Sequence, residues 1–125
     1  VELLKNFYDH FDRELFSETM KRLEVSSGKS YYKMSRGERM KFQMAFAMAH
    51  HPKLYLLDEV TAGMDPVFRV DCFKLLHEVI EQEDAAVLMT SHIESEMKKQ
   101  MDYIGILEQG KMTYFGENKD EIWDA

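Results

Sequence analysis

Residues 54–66 read Leu54-Tyr55-Leu56-Leu57-Asp58-Glu59-Val60-Thr61-Ala62-Gly63-Met64-Asp65-Pro66. The apolar tetrad at the start has no polar alternation, which predicts a strand buried on both faces of a parallel sheet. It ends in two carboxylates, and the carboxyl ends of buried strands are where open α/β sheets place their ligands. Neighbouring residues of an extended segment point to opposite sides, so Asp58 and Glu59 are expected to do different work. Gly63 supplies a turn. Asp65 followed by Pro66 is an N-cap with proline at the first helical position. The helix it opens is expected to use Val70, Phe73, Leu76, Val79 and Ile80 for packing and to fade in the acidic run at residues 81–84.

Upstream, Ser35 and Glu38 form the Ser-x-x-Glu pattern of a capping box. A helix is predicted from there through Phe42, Met44, Phe46, Met48 and Ala49, closed by His50, His51 and Pro52. Histidines at a helix C-terminus favour its dipole. As neighbours on a helix the two rings point apart, so no metal site is expected from them. Asp12, with Glu14 in the first turn, caps an earlier helix that carries Leu15, Phe16, Thr19, Met20 and Leu23 and ends near Val25. Phe7 and Phe11 are expected to pack at its start, and residues 1–8 read as a helix end or an amphipathic arm. Gly28-Lys29-Ser30 looks like the end of a phosphate-binding loop. That loop needs a further glycine where Leu23 stands, and a strand before it. A polar loop is the better reading.

Downstream, residues 86–90 form a second unbroken apolar strand that ends at Ser91-His92, and a short helix follows at about residues 93–101. Strand, helix, strand in that order predicts a right-handed parallel crossover. Two short β-rich runs, at residues 103–107 and 112–115, flank Gln109-Gly110 and predict a hairpin with Gly110 at positive φ. Asn118, with Glu121 three residues on, is expected to cap a last helix anchored by Ile122 and Trp123. The fold class is α/β.

The 125 residues suggest a single domain or part of one. With 45% apolar and 31% charged residues the balance is that of an ordinary globular chain. The net charge of -7 opposes nonspecific binding to nucleic acid, whose phosphates need cationic partners. It is no obstacle to a nucleotide held by backbone amides and Mg²⁺. Cys72 is the sole cysteine, so no internal disulfide forms, and it is expected to be an inert packed residue. The 10 methionines are expected mainly to fill the core.

Asp58 and Glu59 suit a division in which one carboxylate holds hydrated Mg²⁺ and the other orients a water. Mg²⁺ keeps several waters and takes one or two carboxylates beside phosphate oxygens. His92, at the end of the next strand, can donate to a phosphate oxygen. Four groups in this order carry a resemblance: Met34-Ser35-Arg36-Gly37-Glu38, the strand ending at Asp58-Glu59, Thr61-Ala62-Gly63-Met64-Asp65, and Thr90-Ser91-His92. Together they resemble the signature motif (LSGGQ in its commonest form), Walker B strand, D-loop and switch histidine of the nucleotide-binding subunit of ABC transporters. The flavour is similar to small bacterial exporter ATPases. The resemblance implies an α/β fold of the partial P-loop NTPase type: a helical subdomain, parallel strands with helices, and a C-terminal β-hairpin. Residues 1–52 are then the signature-bearing helical subdomain, and residues 53–125 the C-terminal part of the ATPase core.

The same resemblance implies roles. Asp58 holds Mg²⁺ through water, Glu59 polarises the attacking water, and His92 contacts the γ-phosphate. Ser35, Arg36, Gly37 and Glu38 face ATP held by an opposite subunit, and Asp65 supports that dimer interface. Implied partners are a second nucleotide-binding subunit and a transmembrane permease, which places the protein in the cytoplasm on the inner face of the membrane. Arg36 departs from the first signature glycine, Glu38 from glutamine and Val60 from proline. The family's adenine platform, Walker A loop and Q-loop glutamine belong before this stretch, and the chain is expected to begin after them. It is therefore expected to bind ATP weakly or not at all and not to turn it over alone. The exposed edge of an incomplete sheet is expected to promote self-association. Two other readings are a non-catalytic dimerisation module of the same origin and an ABC ATPase of DNA repair or chromosome organisation; the second should carry long heptads, which are absent.

Overall fold

The computed structural model describes residues 10–26 and 28–124. Residues 1–8, read above as a helix end or arm, and Phe7 lie outside the described residues. The chain forms two compact units, one running to Thr90 and one from Ser91 onward.

In the first unit, helix α1 spans Arg13–Arg22, and the Asp12 carboxylate accepts from the Leu15 amide at 3.0 Å. It closes earlier than Val25. Glu24 turns left-handed (φ 56°), and the Val25 amide bonds back to the Met20 carbonyl at 2.9 Å, the arrangement that satisfies orphan carbonyls at a helix end. After the loop, a short 3₁₀ turn at Tyr31–Lys33 leads to α2, Arg36–Met48. Both halves of the predicted capping box form at Ser35 and Glu38. One face of α2 buries Met44, Ala45 and Met48 with, unexpectedly, Lys41. Phe42, Phe46 and His50 make an aromatic ridge along it, which Phe11 and Phe16 meet at ring distances of 5.3–5.7 Å.

Strand β1 spans Leu54–Asp58, α3 Pro66–Glu83 and β2 Ala86–Thr90. The Asp65 carboxylate caps α3 by accepting from the Val67 and Phe68 amides, and left-handed Asp84 ends it. Cys72, Phe73, Leu75 and Leu76 are buried, whereas Val70, expected to pack, is exposed. β1 and β2 pair in parallel from Leu54↔Ala86 to Asp58↔Thr90. The prediction of burial on both faces is corrected here. Tyr55 and Leu57 are buried, but Leu54, Leu56 and Leu88 are 55%, 68% and 63% exposed. The reason is geometric: the sheet has two strands among the described residues, and α3, the connection between them, can cover only one side. Of the ten methionines, Met20, Met34, Met44, Met48 and Met64 are in the core.

In the second unit, α4 spans Glu94–Gln100, and β3 (Tyr103–Glu108) pairs antiparallel with β4 (Lys111–Glu117). Gln109 (φ 49°) and Gly110 (φ 76°) both sit at positive φ, as the preferred two-residue hairpin turn requires. Asn118 does not cap a following helix. Residues Asp120–Ile122 form only a 3₁₀ turn with no side-chain cap. The Asn118 amide instead donates to the carbonyls of Met97, Lys98 and Met101, closing the end of α4, while its oxygen accepts from the Trp123 indole at 2.7 Å.

Candidate functional site

The carboxyl end of β1 carries the first group of candidates. Asp58 is the last strand residue, and its carboxylate accepts from the Thr90 hydroxyl at 2.5 Å. The register makes this possible, since Thr90 is the cross-strand neighbour of Asp58. Glu59 does not continue the extended segment: it turns left-handed at φ 50°. Its amide donates to both the carbonyl (3.0 Å) and the hydroxyl (3.2 Å) of Thr90. The two carboxylates are thus separated by a backbone turn, where strand alternation had been expected. A left-handed non-glycine residue is uncommon and is held here by its neighbours. Thr90 is the residue that sequence reasoning left without a role; its position opposite Asp58 in a parallel pairing is the signal that identifies it.

The loop after Glu59 is fastened at each step. The Ala62 amide donates to the Glu59 carbonyl, the Met64 amide to the Thr61 carbonyl, and the Arg69 guanidinium to the Met64 carbonyl. Thr61 and Met64 are buried, while Asp65 is exposed and engaged with the α3 amides.

The start of α2 carries the second group, and it lies against this loop. A Cβ on Gly37 would stand 2.4 Å from the Gly63 carbonyl oxygen, and one on Gly63 would stand 3.0 Å from Cγ of Arg36. Gly37 is therefore required for a close backbone approach, and the Arg36 stem lies along the loop. Ser35 spends its hydroxyl on the Glu38 amide. Glu38 accepts from Lys29 at 3.0 Å and from the Ser35 amide at 3.3 Å. These bonds, with Lys29 first, hold its carboxyl below the usual range. The lysine of the Gly-Lys-Ser segment is thus a partner of the cap, as a loop reading requires.

His92 belongs to the second unit and is exposed; beside it the Ser91 hydroxyl accepts from the Ile93 amide at 2.9 Å. Among the described residues no group of three or more His, Cys, Asp or Glu side chains is arranged to hold a metal ion. Asp58, exposed at a strand end and steadied by a hydroxyl, fits a hydrated cation that takes one carboxylate. Among the described residues no helix is long and apolar enough to cross a membrane.

No protein-family model matches the chain. It is 33% identical over 113 residues to the ABC transporter ATP-binding protein YtrB of Bacillus subtilis (strain 168), covering 90% of this chain and 39% of that protein. It is 32% identical over 90 residues to the bacitracin transport ATP-binding protein BcrA of Bacillus licheniformis, covering 72% of this chain and 29% of that one. Among solved structures, the ATP-binding cassette MJ0796, as a dimer bound to ADP and Pi after hydrolysis, superposes with a TM-score of 0.71 at 20% identity, over 82% of this chain and 45% of that one. The dimeric structure of MJ0796 as a bacterial ABC transporter cassette gives 0.71 at 21% identity, over 86% and 47%. The chain spans about two fifths of the length of YtrB and less than half of each cassette. It is a homologue of part of the ABC transporter ATP-binding proteins, with the fold of the matching part of an ABC ATPase cassette.

Proposed function

We propose that the chain carries two half-sites of an ATP hydrolase that couples nucleotide turnover to membrane transport. The observation that carries this reading is the carboxyl end of β1, where Thr90 holds Asp58 and a left-handed turn sets Glu59 apart. In this reading Asp58 holds the water shell of Mg²⁺, and Glu59 accepts a hydrogen bond from the attacking water and orients it. His92 donates to the terminal phosphate. The start of α2 serves a different nucleotide, on a second subunit. Amides at a helix N-terminus favour an anion, Ser35 and Gly37 lie there, and Arg36 adds a cation. Glu38 builds the cap, and Asp65 shapes the loop that meets the partner. Bound Mg²⁺ would neutralise charge on the phosphates. Residues 1–52 then form the signature-bearing subdomain and residues 53–125 the catalytic part. The partners are a second ATP-binding subunit and a permease, which makes the protein cytoplasmic and peripheral to the membrane.

The 125 residues hold no P-loop pattern, and that loop supplies the lysine and amide cradle for the phosphates. The chain alone is therefore inactive and binds ATP weakly or not at all. Calorimetry with Mg-ATP and a steady-state phosphate assay check this; micromolar binding or turnover proportional to chain concentration would overturn it. The full-length gene product should hydrolyse ATP, and Glu59→Gln should abolish turnover while leaving nucleotide binding intact. The bare face and edge of β1 and β2 should make the isolated chain self-associate. Sedimentation across a wide concentration range reads this. Leu56→Asp with Leu88→Asp should shift it to monomer, and a wild-type chain monomeric throughout would sink the expectation.

A further inference from the structure

Lys41 is a charged side chain buried in α2, only 6% exposed. Burying an ammonium is unfavourable unless something replaces its water. Its Nζ lies 3.1 Å from the centroid of the Phe68 ring, in the first turn of α3. The face of an aromatic ring attracts a cation, more so when desolvated. The carboxylates of Asp65, Glu24 and Glu38 favour the charged form, against burial, which opposes it most strongly. Gly37 is one helical turn before Lys41, so both lie on the same side of α2. There the Gly37 backbone presses on the Gly63 carbonyl, and the Arg36 stem lies beside the Gly63 Cα. Two successive turns of α2 thus meet the loop at residues 61–65 and the start of the helix that Asp65 caps.

We infer that Lys41 is a positioning residue: its ammonium, seated on Phe68, locks the capped start of α2 and the Asp65 loop into one rigid surface. The lock makes Ser35, Gly37 and Asp65 approach a partner as a unit. Its catalytic meaning rests on the function proposed above, in which those residues face the second subunit's nucleotide. A methionine at position 41 fills similar volume but leaves the ring without its cation. Arginine keeps the charge and stacks on aromatic faces.

The test compares wild type, Lys41→Met and Lys41→Arg. In the 125-residue chain, amide exchange at residues 36–41 and 61–69 should quicken about tenfold in Lys41→Met, with α1 unchanged, and return to within about twofold of wild type in Lys41→Arg. Unchanged exchange in Lys41→Met, or equal acceleration through α1, α2 and α3, overturns the lock. In the full-length gene product, Lys41→Met should lower kcat by about fivefold or more with KM little altered, and Lys41→Arg should recover it. An active wild type matched by Lys41→Met overturns the positioning role and leaves the proposed function standing. A wild type that neither dimerises with ATP nor hydrolyses it overturns the proposed function and, with it, that role; the exchange data then report a fold contact alone.

Discussion

The first unit has two surfaces built on opposite plans. Where α2 meets the 61–65 loop, contact is so close that Gly37 has no room for a Cβ, and a lysine is buried to complete it. Across the β1–β2 sheet, Leu54, Leu56 and Leu88 stand in solvent on the side away from α3. Composition alone would predict the reverse, since the junction carries Arg36, Lys41 and Asp65 and the open sheet face carries leucines. What separates them is whether a covering element lies among the described residues. Met64 (4% exposed), in the 61–65 loop, and Leu88 (63% exposed) give the comparison its sharpest test. Met64→Ala should cost about 3 kcal/mol from lost burial and cavity formation. Leu88→Ala should cost less than about 1 kcal/mol, since it buries little to begin with. Urea denaturation of the two variants reads the difference. At concentrations where the chain is monomeric, equal losses would mean that the sheet face is covered by the chain itself and would break the comparison.

The glycines sharpen it from the other side. Gly37→Ala drives a methyl group against a backbone carbonyl, which cannot rotate away as a side chain can. Forced overpacking of this kind should cost about 2 kcal/mol. Gly28→Ala meets nothing within 4 Å and should stay within about 0.5 kcal/mol of wild type. Thermal denaturation of the pair would show whether the junction yields. A Gly37→Ala chain as stable as Gly28→Ala would mean that α2 and the loop separate freely.

The same division explains what could be read from the amino acids. Caps involve groups three residues apart, so Asp12, Ser35 with Glu38, and Asp65 were legible, as was the turn at Gly110. The unbroken apolar strands were legible as strands, but their patterning reports burial on two faces, and the second cover is not among the described residues. Asn118 shows how a local pattern misleads. Its spacing to Glu121 suggests a capping box, yet three carbonyls at the end of α4 and the Trp123 indole claim its side chain first. The partners of Lys41 and Thr90 were invisible for a related reason: each is acquired through helix packing or strand register, at separations no short motif encodes. At the candidate site, the identities of Asp58 and Glu59 were readable, while the left-handed turn that separates them was not.

The far end of α2 sharpens the comparison by the smallest effect, because beyond its packed Met48 and Ala49 it is also clasped by exposed charge. Just past α2, His51 places Nδ1 2.6 Å from Glu83 at the end of α3 and Nε2 2.8 Å from Asp12 at the start of α1. Both nitrogens can donate only when the ring is protonated. The bond to Asp12 first, then that to Glu83, raises the His51 pKa above its ordinary 6.5. Stability from this clasp is therefore fully present below about pH 6.5 and is lost as pH rises through the folded-state value. Asp12 sets the acid limit. Its carboxyl is lowered, chiefly by the Leu15 amide and next by His51, so its share holds above the ordinary range and disappears as pH falls through the depressed value. Of the other groups here, Lys53 donates to the Glu83 carbonyl, and burial, with Glu83, pushes the Tyr55 hydroxyl up to about 12, outside this window. The His51 side chain is 44% exposed, so solvent screening should limit the effect to a few tenths of a kcal/mol, about 0.5 at most. Asparagine tolerates the left-handed backbone at this position (φ 49°). The gap in melting temperature between wild type and His51→Asn should be widest just below about pH 6.5 and narrow as pH rises through the raised folded-state value. A gap constant over that range would mean that the clasp holds by shape alone, and the two ends of α2 would then differ in tightness but not in kind.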